Sequence, residues 1–278
     1  MTKEADLTAA KASLTRRFIA CTQSTGRIGK STVAEGLISW LRYAGVAFVA
    51  VDADSQHQTL SHRYPSDVES FDATKTLDDF ARMIQALPDF PVILVDFPAQ
   101  ATNFLLSAAE HFRLLEFFER SGIRPTLLIF AADDPTAKES ASKTVRFFGD
   151  AADYLLVENP AKYKSEEFMR TPLISWLAER ETAKLRIPAV TAITINAWEA
   201  LERKLNRYLP LNEACHHTGL HELCRHELGF LRDRFLVQFE DLADRLLPNP
   251  ALIKNKVARL TERKADVQDA LNDPFLLA

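Results

Sequence analysis

Phe18-Ile19-Ala20-Cys21-Thr22-Gln23-Ser24-Thr25-Gly26-Arg27-Ile28-Gly29-Lys30-Ser31 is the stretch whose reading decides the fold. Residues 18–23 form a short apolar run that reads as a buried strand. Over residues 30–43 the apolar side chains Val33, Leu37, Trp40 and Leu41 recur at helical spacing, and Gly45 stands at the usual C-cap position. A strand that feeds a helix through a loop carrying Gly26 and Gly29 aims successive backbone N–H groups, and the positive end of the helix dipole, at one spot. Glycine lets the backbone come close to whatever sits there. The geometry suits an anion.

The same alternation continues along the chain. Further strands are predicted over 46–51, 91–95, 126–131 and 154–157, with a last short one inside 187–195. Helices are predicted over 76–87, 101–120, 135–148 and 165–181, the third opened by Asp134 as N-cap and Pro135 in the first turn. Continuous apolar strands alternating with amphipathic helices give an α/β fold with a mostly parallel, twisted sheet covered by helices on both faces. Ligands of such sheets bind beyond the carboxyl ends of the strands. The loop from Gly26 to Ser31, Asp52, Asp54, Asp96 and Asn159 all follow predicted strands at that edge, although they are far apart in sequence. From residue 197 strands cease and helical spacing runs to about residue 270, broken at Pro210 and at Pro248-Asn249-Pro250. The expected organisation is a flexible arm over 1–15, a core over 16–196 and a helical C-terminal layer over 197–278 packed on that core.

The loop comes close to the pattern G-x-x-x-x-G-K-[ST]. Gly29-Lys30-Ser31 matches it, and Ser24 stands where the first glycine belongs. In that pattern the lysine reaches the β- and γ-phosphates of a nucleotide and the hydroxyl ligates Mg²⁺. The strand before and the helix after are the context the pattern requires.

Loop and carboxylates together resemble the ParA/MinD family of deviant-Walker P-loop ATPases. The family loop K-G-G-x-G-K-[ST] is read here as Thr25-Gly26-Arg27-Ile28-Gly29-Lys30-Ser31, followed by Thr32. Its D-x-D-P-Q element resembles Asp52-Ala53-Asp54-Ser55-Gln56, and its D-x-P element resembles Asp96-Phe97-Pro98. The resemblance spans about residues 16 to 195. It implies a P-loop NTPase fold that binds ATP and Mg²⁺, with Gly26, Arg27, Ile28, Gly29, Lys30, Ser31 and Thr32 around the phosphates. It implies catalytic parts for Lys30 and for Asp54, which would position the attacking water, with Gln56 in the first switch segment. Ser31 would ligate the metal, Asp96 would orient it through water and Asp52 would support its shell. Asn159 would read adenine, and the Ile187-Pro188 region would flank the base. Thr25 departs from the pattern: the family's signature lysine reaches there across a nucleotide-sandwiched dimer, and a threonine carries no charge. Arg27, two residues on, replaces a glycine. A cation supplied in trans can change phosphoryl-transfer rates by orders of magnitude, so slow turnover or none is expected.

The resemblance further implies a nucleotide-dependent homodimer, an unidentified protein partner and weak, non-specific DNA contact, in plasmid or chromosome partitioning, cargo positioning or DNA transfer. Two other readings stay open. One is a dethiobiotin-synthetase-like ligase for a small molecule, which Thr22-Gln23-Ser24-Thr25 echoes. The other is a nucleotide-binding adaptor that hydrolyses nothing. No Asn-Lys-x-Asp run follows a late strand, which favours ATP over GTP.

Composition narrows the setting. Hydrophobic residues make up 47% of the 278 and charged residues 26%, enough to bury a core rather than stay disordered. A net charge of -4 is not that of a chain built as a whole to coat nucleic acid or an anionic membrane. Three cysteines, Cys21, Cys215 and Cys224, make no disulfide framework. Residues 1–15 carry charges of both signs and do not read as a secretory signal. No apolar run nears the ~20 residues that span a bilayer. The expectation is a soluble, cytoplasmic protein with no membrane contact. His217, His221 and Cys224 are spaced to share one helix face, compatible with zinc or with a half-buried packing surface. Lys254, Lys256, Arg259, Arg263 and Lys264 form a basic stretch that reads as a solvated face or as a phosphate-backbone contact. Phe112, Phe117, Phe118, Phe147 and Phe148 are expected in the core.

Overall fold

Strand side chains alternate between two apolar cores, because helices cover both faces of the sheet. The computed structural model describes residues 14–54, 58–72, 75–86 and 90–254. Among them, β1 (Arg16–Cys21), β2 (Phe48–Asp52), β3 (Val68–Ser70), β4 (Val92–Asp96), β5 (Ile123–Ala131), β6 (Asp153–Glu158) and β7 (Ala183–Arg186) pair in the order β3-β2-β4-β1-β5-β6-β7. Every pairing is parallel. In β1, Ile19 and Cys21 enter one core while Phe18 and Ala20 enter the other; in β4, Leu94 enters the first and Ile93 and Val95 the second. This is the α/β fold expected from the sequence, a twisted sheet covered by helices on both faces, fully parallel among the described strands.

Helix α1 (Lys30–Ala44) follows β1. Next come α2 (Thr59–Arg63), α3 (Leu77–Ala86), α4 (Thr102–His111), α5 (Leu114–Arg120), α6 (Pro135–Phe148) and α7 (Pro172–Ala178). The C-terminal layer consists of α8 (Ala192–Leu205), α9 (Leu211–Ala214), α10 (Glu222–Asp241) and α11 (Ala243–Leu246). Helix α10 lies along α1: Phe235 sits against Gly36 and Phe239 packs on Trp40 with ring centroids 5.9 Å apart, so the two helices run in step. Buried Arg17 ties the start of β1 to the same layer, donating to the carbonyls of Leu247 and Asp244 while pairing with Asp153. No described helix is long and apolar enough to cross a membrane.

Several expectations are corrected. The last strand is β7, ahead of the expected 187–195; that stretch instead enters α8, where Thr191 caps the helix by accepting from the Thr194 N–H. The helix expected over 101–120 is two, parted at Arg113, whose φ of 49 is left-handed. The helix expected over 165–181 shrinks to a 3-10 turn (Phe168–Arg170) and α7, which Pro172 opens. Short α2 and edge strand β3 were not foreseen. Phe118 and Phe148 are core residues, but Phe112 and Phe117 reach the surface.

His217, His221 and Cys224 do not share a helix face: His221 is the N-cap of α10, His217 accepts from the Gly219 N–H in the turn before it, and Cys224 is buried. Among the described residues no group of three or more His, Cys, Asp or Glu is placed to hold a metal. Of the basic stretch only Lys254 lies within the described residues, and Gln56 lies outside them.

The α1–α10 contact makes a counterintuitive prediction. Alanine is the better helix former, by about 1 kcal/mol, yet a Cβ at Gly36 would stand 2.8 Å from the Phe235 ring. Overpacking of this kind costs about 1–3 kcal/mol. Gly36→Ala is therefore expected to lower the urea midpoint; a midpoint that rises would show that α10 yields easily.

Candidate functional site

The site is built where the loop after β1 meets the carboxyl end of β4. Strands β1 and β4 are neighbours, with Cys21 opposite Asp96. The chain leaves them towards opposite faces, since α1 packs in one core and α4 in the other. A crevice at such a divergence is the usual ligand position in parallel sheets.

Gly29 lies immediately before α1 with φ 108, and a Cβ there would come within 2.5 Å of Ile187 and 3.1 Å of the Asn159 amide. Both conformation and space therefore demand glycine. The first intrahelical bond runs from the Val33 N–H to the Gly29 carbonyl at 3.0 Å. The amides of Lys30, Ser31 and Thr32 precede it and face the helix end, which has no side-chain cap and no acidic residue in its first turn. That is the arrangement of an anion cradle.

Side chains from distant segments hold the loop. Buried Gln23 donates from Nε2 to the carbonyls of Phe130 and Ala137, both at 2.9 Å, and accepts from the Phe130 N–H. The Ser24 hydroxyl bonds Thr102, and the Ser24 N–H donates to the Ser140 hydroxyl. Tyr163 donates to the Gly26 carbonyl at 3.1 Å and Asn159 to the Ile28 carbonyl at 3.1 Å. The Thr25 hydroxyl donates to Asp134 at 2.7 Å, and the same carboxylate oxygen caps α6 by accepting from the Ala137 N–H. Thr25 and the α6 N-terminus together hold Asp134 below the usual carboxylate range. Gly26 and Arg27 form the exposed tip, with Arg27 in the left-handed region at φ 60.

Lys30 is buried and folds back over its own loop, donating from Nζ to the carbonyls of Gln23 and Thr25, each at 3.0 Å. Burial pulls its pKa down, opposed by the charges of Asp96, Cys21 and Asp54. Asp96 is the most perturbed of the acids here. It is raised to about 7: burial, Asp52 and Asp54 push it up against the downward pull of the Ser31 hydroxyl and Lys30. Its Oδ1 is buried with no hydrogen-bond partner. A buried, unsatisfied carboxylate oxygen beside a serine hydroxyl matches the needs of a hydrated divalent cation, which favours oxygen ligands. Residues Ser31 and Asp96 therefore fit the metal they were expected to hold.

Asp52, expected to support the metal shell, is itself held by backbone donors. Its Oδ2 accepts the N–H groups of Leu60 and Ser61, at 3.0 and 3.1 Å, and its Oδ1 that of Asp54 at 3.2 Å. Three backbone donors make it the anchor of α2 and of the segment that carries Asp54. Asp54 stands close enough to Lys30 and Asp96 to shift both. Asn159, expected to read adenine, also braces the loop with one amide N–H. Sequence reading missed Gln23, Thr102, Tyr163 and the Thr25–Asp134 pair. Of these only Asp134 left a local signal, its place before Pro135.

A second group of residues flanks the site along α1. A cavity of about 220 Å³ opens between Thr32, Asn159, Ile187 and Trp198. At its edge Arg63 of α2 pairs with Glu35 of α1 at 2.8 Å and with Glu202 of α8 at 3.2 Å, and lies 4.3 Å over the Trp198 ring.

No family model matches the chain, and no curated protein matches it. Several solved structures are distantly similar. The MinC:MinD cell division protein complex of Aquifex aeolicus is 13% identical, with 80% of this chain and 96% of that one covered and a TM-score of 0.41. A ParA family ATPase from Chlorobium tepidum TLS is 12% identical, covering 78% and 98%, with a TM-score of 0.40. A nucleotide-binding protein from Archaeoglobus fulgidus, in complex with ADP, is 15% identical, covering 69% and 88%, also with a TM-score of 0.40. Likeness this distant says nothing of what the present chain binds.

The elevated pKa of Asp96 has a consequence for stability. A carboxyl whose folded pKa lies above its unfolded value stabilises the fold when protonated, and that contribution is lost as pH rises from about 4 to about 7. Asp96→Asn removes the titration. Thermal melts across pH 4 to 8, without ligand, are expected to show the wild type losing stability relative to the variant by up to about 4 kcal/mol. Parallel pH profiles would mean that Asp96 ionises freely in the fold.

Proposed function

We propose that the chain is a ParA-like nucleotide switch that binds ATP with Mg²⁺ at the end of β1. The observation that carries this reading is the meeting of three elements: the uncapped N-terminus of α1, the buried ammonium of Lys30, and the unpaired Oδ1 of Asp96 beside Ser31. Each lacks something that a triphosphate with its metal supplies. The phosphates would take the amides of Gly29, Lys30, Ser31 and Thr32. Lys30 would leave the carbonyls of Gln23 and Thr25 for the β- and γ-oxygens. Mg²⁺, held by Ser31 and through water by Asp96, would neutralise charge on those oxygens. Asp54 would orient a water, and Asp52 fixes the segment that carries it.

The cellular task we propose is the family's: partitioning or positioning of a plasmid or other cargo, with a second copy or another protein responding to the bound nucleotide. The chain's departure from that family supports a second reading. Thr25 is tied to Asp134 of its own chain and offers no charge to a partner. A switch that binds ATP and hydrolyses it slowly, or a nucleotide-binding adaptor, agrees with that bond better than a dimer-activated hydrolase does. A small-molecule ligase gains no support from a specific feature of the site.

Calorimetric titration with ATP and Mg²⁺ tests the proposal. Wild type is expected to bind, and Lys30→Ala to lose at least about tenfold, or 1.4 kcal/mol. Asp96→Asn is expected to bind ATP with little response to Mg²⁺. No heat with any nucleotide, or equal binding by Lys30→Ala, would overturn the reading of the loop.

A further inference from the structure

The amino edge of the sheet, at the far end of the strands from the phosphate loop, carries a charge imbalance. Asp153 at the start of β6 is approached by three guanidinium groups. Arg17 donates to its Oδ2, and Arg124 to its Oδ1 at 2.9 Å. Arg245 of α11 comes only to 3.9 Å, and its other acidic neighbour, Asp244, is at 3.5 Å; both distances are longer than a hydrogen bond. Asp244 is exposed, and ion pairs of that kind hold little energy. One carboxylate cannot satisfy three groups that are each multiple donors. The shortfall shows in Arg124, whose Nε is buried with no hydrogen-bond partner. It shows again in Arg17: burial lowers its pKa, Asp153 raises it, and the charges of Arg124 and Arg245 lower it further.

Arg124 and Arg245 both line a cavity of about 680 Å³, and their side chains are 33% and 28% exposed. The rest of the wall is largely apolar, from Leu115 and Phe118 of α5, Ile123 and Pro125 of β5, and Ala152 and Tyr154 at the start of β6. Of the other acidic groups around it, Glu116 pairs with Arg113 at 2.6 Å, Asp150 pairs with Arg180 at 2.8 Å, and Glu119 is exposed to solvent. A cavity of this size suits a small organic molecule. Guanidinium groups short of acceptors at its wall suit an acid, because hydrogen bonds between charged partners are the strong ones.

We propose that this cavity is a second ligand site that takes an amphiphilic organic anion, with the acid group on Arg124 and Arg245 and the apolar body against Phe118, Ile123 and Tyr154. The acid supplies the acceptors that Asp153 alone cannot. An inorganic anion would leave the apolar wall bare, and a neutral hydrocarbon would leave the guanidinium groups unmatched. The site stands independently of the nucleotide reading, since it lies at the opposite edge of the sheet.

Two fluorescent probes with the same rings test this: 8-anilinonaphthalene-1-sulfonate, an anion, and N-phenyl-1-naphthylamine, its neutral counterpart. Wild type is expected to bind the sulfonate about tenfold or more tighter than the amine, the range of a hydrogen bond to a charged group. Arg245→Gln is expected to lose about tenfold for the sulfonate and nothing for the amine. Because Arg245 makes no short contact with Asp153, its melting temperature is expected to stay level or rise; a marked fall would overturn the surplus of charge on which the site rests. Arg124→Gln is the second variant, with the same selective loss expected. Lys30→Ala is expected to bind both probes as wild type does. Octanoate should displace the sulfonate, and acetate or octanol at the same concentration should not. No binding of the sulfonate by wild type, no loss in either arginine variant, or equal loss of both probes overturns the anion site. Displacement by octanol as readily as by octanoate overturns it too, displacement by acetate overturns the apolar half of the proposal, and loss in Lys30→Ala would move the probe to the phosphate loop and overturn the second site.

Discussion

Asp96 ends β4 with one carboxylate oxygen buried and unpaired, Asp52 opposite it in the neighbouring strand and Lys30 the compensating charge. Two carboxylates at one dry sheet edge repel each other, and the fold resolves this unequally. Asp52 is supplied with three backbone N–H groups and anchors α2; Asp96 is left with one hydroxyl and a nearby ammonium. The two positions look alike in sequence and differ in what the local backbone gives them. A site that keeps one acid in deficit is poised for an added cation, and the rest of the loop is arranged around that deficit.

The loop itself is held by residues that no local pattern would have joined. Gln23 spans β5 and α6, Ser24 meets α4 and α6, and Ile28 meets the end of β6 through Asn159. Each bond satisfies a polar group that would otherwise be buried alone. Together they fix the backbone of a loop whose open amides must point one way. The exceptions are the tip residues Gly26 and Arg27, which stay exposed. Rigidity at the base and exposure at the tip suit a loop that keeps its cradle while offering one cation outward.

What was legible in the sequence was whatever depends on neighbours along the chain. Apolar runs gave five strands, β1, β2, β4, β5 and β6, and Gly29-Lys30-Ser31 after the first of them marked the turn into α1. Asp52 and Asp96 were found because parallel strands deliver their carboxyl ends to one edge. The failures have a common cause. Residues 187–195 are as apolar as a strand, but Thr191 caps a helix there and Leu185, not Ile193, pairs with Val157. The break at Arg113 depends on one left-handed residue with no glycine to announce it. The bonds that Asn159 and Asp52 make within the chain were not legible either: which hydrogen bond an Asn or Asp makes is decided by what the fold brings beside it.

Thr25 raises a question of mechanism that the charge of a lysine would have hidden. Its hydroxyl and the α6 amide at Ala137 share one oxygen of Asp134, so the loop and the start of α6 are joined through a single carboxylate. A lysine at position 25 would meet that carboxylate within its own chain, and its reach towards a partner would have to compete with an ion pair at home. Threonine removes the competition together with the charge. What it retains is a mechanical link: the Ser24 N–H also bonds α6, at Ser140, so two successive residues of the loop are fastened to one helix. Any movement of the loop would either break both bonds or carry α6 with it. Helix α6 packs on the core opposite α1, so a displacement there is felt on the face of the sheet that the C-terminal layer does not cover. The bond at Thr25 thus couples the loop to the far face of the chain's own sheet.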